Sequence, residues 1–495
     1  MRFRRFRIHP AAAVVAASFA LACSLGSAPP QSTPAPAAEQ VEREIERTIG
    51  TLDDPGLTEL VQQLGARVAV AAEVPRNGSV TRWSSGKLRF AIANQPETNA
   101  FSFPSGNVYL SRGLLGFVRS ENELANVIAH EVAHVVGRHA LRLESRKSQV
   151  RSAALMKILA ASLGGTRSGA TLDALQLEGA GLVARYSREL EHTADREGQV
   201  LAARAGYDPS GMASFLFALD RETTFRLGRP RRPTYLDTHP AAPERAQNAA
   251  TTARRLAPPA FSTRPASAFL DRLDGLLVGE DPAEGVVQDG VFVHPDLDLR
   301  LAFPASWRIA NTHGAVIAAP PDGPLVVVLE LQEQYPDPAA ASVRFLRSNK
   351  RSFALLESGP LAGAAVPAHQ AAVRVQRPGE PLYARLFWLA LGGNIYRLQS
   401  VGTAAGFEQF GEAVLGAARS FRPLSAEERS GFRVRRLRVI AAHAGERFED
   451  VLARGGNVER LDQIALTNGL DVGDRLEAGR RVKVVVETPY PDRPR

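Results

Sequence analysis

Apolar residues recur at helical spacing through Glu121 to Leu143, where Leu124, Val127, Ile128, Val132, Val135 and Val136 mark one face. Ser120 followed by Glu123 is a capping-box start, so the pattern predicts one buried amphipathic helix. Upstream, Val41, Ile45, Ile49, Leu57, Leu60, Val61 and Leu64 carry helical periodicity through Glu39 to Ala72. Lys87 to Ala93 alternates, with Leu88, Phe90 and Ile92 on one face, and reads as a strand. Asn107 to Ser111 is a second strand, joined to the first through Asn99 to Gly106. Ala153 to Leu163 is apolar but too short to cross a bilayer, and Gly164 to Gly169 is a polar, glycine-containing break read as a loop over a cleft.

Beyond the prolines Pro258, Pro259 and Pro265 and a short helical piece ending at Leu277, the texture changes to short alternating strands. These are Leu297 to Phe303, Leu325 to Leu331, Ala371 to Val375, Tyr383 to Leu391 and Ile395 to Val401, the last two joined by Gly392-Gly393-Asn394 as a hairpin. Helices are expected at Ala339 to Phe353 and Gly406 to Ala418. Leu437 to Val486 then reads as strand, two short helices and strand. The chain is expected to be an α+β multidomain protein: a leader (1–23), a Pro/Ser/Ala tether (24–38), a mainly helical domain with a small edge sheet (39–256), a linker (257–284), an antiparallel α+β domain (285–424) and a small β-α-α-β module (425–495).

With 44% hydrophobic and 23% charged residues among 495, the composition is that of a globular protein. The net charge of +8 includes Arg2, Arg4, Arg5 and Arg7 of the leader, which leaves +4 for the remainder and points to no nucleic-acid partner. Those arginines, the apolar run Ala11 to Ala22 and the small residues at its end form a secretory signal. Cys23, the only cysteine, follows Phe19-Ala20-Leu21-Ala22, which resembles a bacterial lipobox and implies lipidation at Cys23. Leucine sits one place later than in the commonest pattern, and Ala20-Leu21-Ala22 also suits ordinary signal peptidase, so simple secretion is the alternative. Ser24 after the cysteine resembles an outer-membrane signal. The expected location is the periplasm, held to the outer membrane by a lipid anchor alone. An exported chain with one cysteine has no disulfide, so packed cores and metal must stabilise it.

The metal is suggested by His130-Glu131-Val132-Ala133-His134 within the central helix. Residues four apart on a helix differ by about 40° of rotation and about 6 Å of rise, so both imidazoles can reach one tetrahedral ion. Glu131 lies about 100° round from His130, beside the open position, where a general base belongs. A third protein ligand is needed. A metzincin pattern would require histidine at position 140, which is Ala140, and His139 lies about 180° round from His130, so His139 reads as a capping or surface residue. Glu191 and Asp195, spaced i and i+4 on a later helix, offer one carboxylate for the metal and one to accept the ring N–H of a ligand histidine.

These residues, together with Asn99 to Leu115 (NAFSFPSGNVYLSRGLL), resemble the HtpX-like and CAAX-prenyl-endopeptidase metallopeptidase family. Pro104-Ser105-Gly106 stands where many members have Pro-Gly-Gly. The resemblance covers about residues 40–255 and implies a gluzincin-type domain. It places Glu191 on the metal and Asp195 behind a histidine, with a sheet edge that holds extended substrate through main-chain hydrogen bonds. It continues through Gly206-Tyr207-Asp208-Pro209 and through Tyr235 to Pro240 with Arg245. By resemblance His239 either donates to the tetrahedral intermediate or occupies the fourth metal position as a gate. The 285–424 region is faintly similar to Mog1/PsbP-like domains, with binding or scaffolding as its role. The last module is similar to LysM, with Gly445-Glu446-Arg447 in place of Gly-Asp-Thr, and implies peptidoglycan contact or a structural cap.

The expectation is therefore a zinc-dependent endopeptidase of the bacterial cell envelope. His130, His134 and Glu191 hold one Zn²⁺ per chain, Glu131 is the base and His239 assists. Its substrates would be proteins or peptides, chiefly misfolded or misassembled envelope proteins. The rivals are a gated or inactive chaperone or assembly factor and a peptidoglycan-associated binding protein.

Overall fold

A computed structural model describes residues 50–73, 88–139, 188–226, 239, 244–256, 266–321, 323–332, 335–376 and 379–491. The leader with Cys23, the tether, the 153–163 and 164–169 stretches and the proline-rich 257–265 segment lie outside the described residues.

Helix α1 (Pro55–Glu73) starts where the Asp54 carboxylate accepts the Leu57 N–H, and it buries Leu57, Leu60, Val61, Leu64 and Val68. Strands β1 (Arg89–Ala93), β2 (Ala100–Ser102) and β3 (Asn107–Ser111) form a sheet in the order β1-β3-β2, with β1 parallel and β2 antiparallel to β3. Strand β2 was not expected: it has three residues, all buried, so no polar alternation announces it. Gly106, at φ +105°, closes the turn from β2 to β3, a backbone region that L side chains rarely adopt.

Helix α2 (Arg112–Phe117) leads into α3 (Glu121–Val136). Ser120 Oγ accepts the Glu123 N–H at 3.2 Å, as the capping pattern requires. The return bond differs, because the Glu123 carboxylate accepts the N–H of Arg119 (2.7 Å) and is also held by the Arg119 guanidinium and the Ser214 hydroxyl. Helix α3 ends at Val136, the last apolar residue of its pattern, where Gly137 caps it and Arg138 takes φ +50°. Helices α4 (Arg188–Arg204), α5 (Ser210–Arg226) and α6 (Glu244–Arg255) complete the helical region, followed by α7 (Ala266–Asp271) and the short strand β4 (Leu277–Val278).

Strands β5 (Val286–Gln288), β6 (Val291–His294) and β7 (Leu299–Ala302) form a small meander. Next in the chain come β8 (Arg308–Asn311), β9 (Val316–Ala319), β10 (Leu325–Leu331), α8 (Pro338–Ser348), β11 (Phe353–Pro360), β12 (Ala368–Val375), β13 (Leu382–Leu391), β14 (Asn394–Gly402) and α9 (Ala404–Ser420). The strands build an antiparallel sheet in the order β11-β12-β13-β14-β10-β9-β8. Period-two alternation gives it two apolar faces: Leu325, Val327, Leu329, Phe387 and Leu398 pack with Val414 and Ala418 of α9, while Val373, Leu386 and Trp388 pack with Ala341 of α8. Helix α8 stops at Ser348, and Phe353, expected in the helix, opens β11 as a buried strand residue.

After α10 (Ala426–Gly431), strand β15 (Arg433–Ala441), helices α11 (Phe448–Arg454) and α12 (Leu461–Asn468) and strand β16 (Arg481–Pro489) follow in the expected order. Strand β4, from the expected linker, joins them in a sheet ordered β16-β15-β4. The apolar residues of this segment do not form a core of their own: Phe448, Val451, Ile464, Leu466 and Val484 belong to the same buried cluster as Leu124, Ile128 and Phe215.

A buried cation reinforces this joint. Lys483 of β16 is fully buried, and its Nζ donates to the carbonyls of Gly116 (2.8 Å), Phe117 (3.3 Å) and Val118 (3.0 Å) at the end of α2. Burial pushes this ammonium down to about 7, while three carbonyl acceptors match its three donors. Lys483→Met removes every donor from those carbonyls and is expected to cost about 1–3 kcal/mol. The readout is the urea midpoint of the whole chain, and an unchanged midpoint would show that the contact contributes nothing.

Candidate metal centre

Helices α3 and α4 cross without a side chain between them at Gly198. A Cβ there would lie 2.9 Å from both the Cα and the N of His130, closer than real Cβ contacts. The approach sets Glu191 and Asp195, one turn apart on α4, against His130 and His134, one turn apart on α3. His130, Glu131 and Glu191 show no exposure at all, although each is ionisable. Groups of this kind are costly to bury unless they are paired or bound to metal.

The atoms that converge are His130 Nε2, His134 Nε2, a Glu191 carboxylate oxygen and His239 Nδ1, all within 4.8 Å of one another. The two Nε2 atoms are 2.9 Å apart, and His130 Nε2 is 3.3 Å from His239 Nδ1. Glu191 Oε1 is 3.5 Å from His134 Nε2, and Glu191 Oε2 is 3.1 Å from His239 Nδ1. Two donors on one tetrahedral zinc with bonds of about 2.0–2.1 Å stand about 3.3 Å apart, so the spacing and the N/O donor set fit that ion. Of the 235–240 stretch, only His239 is described.

Around the donors stands a ring of orienting groups. Asp195 Oδ1 lies 3.0 Å from His130 Nδ1. Arg245 grips the same carboxylate with two bonds of 2.8 and 2.7 Å, approaches Glu191 Oε2 at 3.1 Å and donates to the His239 carbonyl at 3.2 Å. Ser102 donates to Glu131 Oε2 at 3.0 Å, and Glu131 Oε1 is 3.4 Å from His239 Nε2. His139, expected as a capping or surface residue, is buried at the end of α3 with its Nδ1 2.9 Å from His134 Nδ1. Helical-wheel geometry does not apply to it, because α3 ends at Val136 and Arg138 takes φ +50°.

Electrostatics follow from this ring. Burial acts to push the His130 imidazole down, but its hydrogen bonds with Asp195 and Glu191 bring it up to about 9, so a metal arriving at neutral pH displaces a proton. Burial and the neighbouring His130 hold His134 well below the usual imidazole range, which keeps a lone pair available. Burial opposes ionisation of Glu191, yet His239 and His130 hold it well below the usual carboxylate range. Asp195 is likewise lowered against burial by Arg245.

The structure thus brings together His130, Glu131, His134, Glu191, Asp195, His239 and Arg245. Cys23 is outside the described residues. Ser102 was not singled out from the sequence, because β2 is too short to show a period and only its pairing with β3 brings Ser102 to Glu131. Phe101 stacks on Tyr109 with ring centroids 5.1 Å apart, and Phe103 meets Tyr109 edge-on.

Comparison with known families agrees with this geometry. Residues 56–253 match Peptidase family M48. The M48 region covers nearly all of α1 to α6 and the small sheet, and it agrees with the resemblance drawn from the motifs at the level of that family. The beta-barrel assembly-enhancing protease of Escherichia coli (strain K12) is 29% identical over 235 residues, which are 44% of this chain and 43% of that protein. The mitochondrial metalloendopeptidase OMA1 of Arabidopsis thaliana is 32% identical over 158 residues, covering 32% of this chain and 30% of that one. The chain therefore spans less than half the length of these relatives.

Within residues 56–253, Gly198 is a position where an added side chain would press directly on the His130 backbone. Gly198→Ala is expected to cost about 1–3 kcal/mol through overpacking against the His130 backbone. Chemical denaturation measures it, and a variant as stable as the native chain would show that α4 can move away from α3 freely.

Proposed function

We propose that the chain is a zinc-dependent endopeptidase of the bacterial cell envelope that removes misfolded or misassembled envelope proteins. The observation that carries this reading is the buried set of His130, His134, Glu191 and His239, with Glu131 beside it, inside a region that matches Peptidase family M48. The name of the Escherichia coli relative, beta-barrel assembly-enhancing protease, suggests the assembly of β-barrels as the setting. His130, His134 and Glu191 would hold one zinc ion per chain. Bound there, zinc lowers the pKa of water and polarises a carbonyl. Glu131, oriented by Ser102, takes a proton from the attacking water and passes it to the leaving amine. Asp195, fixed by Arg245, keeps His130 in the tautomer whose Nε2 lone pair faces the metal. An extended substrate would lie along the β2 edge, whose main chain can pair with it.

His239 favours a gated form of the same enzyme. With its Nδ1 among the converging donors, four protein groups would hold the ion and leave no position for water. We read this arrangement as the closed resting state, with His239 withdrawing when substrate enters.

The remaining parts of the reading rest on sequence. Cys23 would carry a lipid that holds residues 39–495 at the outer membrane from the periplasmic side, with simple secretion as the alternative. The division into 39–256, 285–424 and 425–495 is kept, with Leu277–Val278 assigned to the last unit. The strand-helix-helix-strand order supports a LysM-like module. Its packing supports the role of a cap on the peptidase more than a glycan binder, since a Cβ at Gly469 would lie 3.0 Å from the Arg119 side chain.

Glu131→Gln is expected to retain zinc at the native stoichiometry while cleavage of unfolded casein falls by about 10²–10⁴-fold. Retained cleavage in a contaminant-free preparation would overturn the peptidase mechanism. His239→Ala is expected to cleave casein faster than the native chain, because a water position opens. Slower cleavage would assign His239 to the oxyanion and remove the gate.

A further inference from the structure

His139 is the buried histidine that the proposed chemistry leaves without a task. Three features of the chain deliver it to its place. Helix α3 is capped by Gly137, whose N–H donates to the carbonyl of Ala133 at 2.8 Å. Arg138 takes φ +50°, a left-handed conformation uncommon for any residue but glycine. The ring then packs against the helix end so closely that a Cβ on Gly137 would lie 2.4 Å from His139 Nε2. The His139 and His134 rings stand at 87° with centroids 4.9 Å apart. Their Nδ1 atoms are 2.9 Å apart, a hydrogen-bond distance.

Two imidazole nitrogens at that distance must share a single proton, so one donates and the other accepts. The choice is decided by the opposite side of His134, whose Nε2 lies 2.9 Å from His130 Nε2 among the converging donors. A neutral imidazole carries one N–H. If Nε2 offers its lone pair to a metal, the proton sits on Nδ1, and His139 Nδ1 is the acceptor. We propose that His139 is a positioning residue for the metal centre, accepting the Nδ1–H of His134 and thereby holding that ligand's tautomer and ring plane. The inference rests on the reading of His130, His134, Glu191 and His239 as a zinc site. It gives the two ligand histidines different supports, the carboxylate of Asp195 behind His130 and a neutral imidazole behind His134.

The test is zinc affinity, measured on the full chain by competition with a chelating indicator. His139→Phe keeps a ring and removes the acceptor, and is expected to weaken zinc binding by about 10–100-fold. His139→Asn places an amide oxygen near the position of Nδ1 and is expected to recover most of that loss, which a space-filling role would not allow. His139→Ala repeats the comparison if the larger ring disturbs folding, which circular dichroism of each metal-free variant reports. Native affinity in the phenylalanine and alanine variants would overturn the proposal, as would equal weakening in phenylalanine and asparagine. A native chain that takes up no zinc would overturn the donor set itself and the role of His139 with it. A native chain that binds zinc, set beside unaffected His139 variants, would overturn this inference alone.

Discussion

The close crossing of α3 and α4 at Gly198 is the constraint on which the centre depends. Around it seven ionisable side chains are buried together, and this is tolerable because every one of them meets an opposite charge or a hydrogen-bond partner. Arg245 ties these groups together, since one buried guanidinium faces both Asp195 and Glu191 and also reaches the His239 carbonyl. The carboxylates stay ionised, His134 stays neutral, and the site is arranged for a cation before one arrives. Without the glycine the helices would stand apart, and the same residues would be an unremarkable set of charges on two helix surfaces.

Two further buried basic side chains extend this order outward. Arg112, at the start of α2, donates to Asn94 and to the carbonyls of Leu277 and Gly279 around β4, while Lys483 closes the other end of the same helix. Both contacts come from the C-terminal sheet and its neighbouring strand. Because α2 runs directly into Ser120 and the first turn of α3, the last segment of the chain supports the helix that carries His130 and His134. The C-terminal strands are thus structurally part of the helical region, although some 150 residues of a different architecture separate them in sequence. The middle sheet, with apolar packing on both faces, has a core of its own and no residue in the metal centre.

Much of the local structure was legible in the chain. Strands β3 and β10 have the bounds that alternation suggests, and the β13–β14 hairpin lies where Gly392 and Gly393, both at positive φ, allow the turn. Short elements were not legible. Strand β2 is too short and too uniformly buried to show a period, and β11 was hidden behind a helical pattern that Asn349 ends.

The spacing of His130, Glu131 and His134, and that of Glu191 and Asp195, is a property of the sequence alone, because the helical repeat dictates which side chains share a face. His239 and Arg245 entered only through the resemblance of Tyr235 to Pro240 and Arg245 to a known family. Only the tertiary structure decided that a carboxylate helix packs close enough to complete the site, that Ser102 steadies Glu131, that Arg245 ties Asp195 to Glu191, and that His139 turns back onto His134. Each of these depends on contacts between segments far apart in the chain or on a left-handed backbone turn, and no periodicity along the sequence records either one.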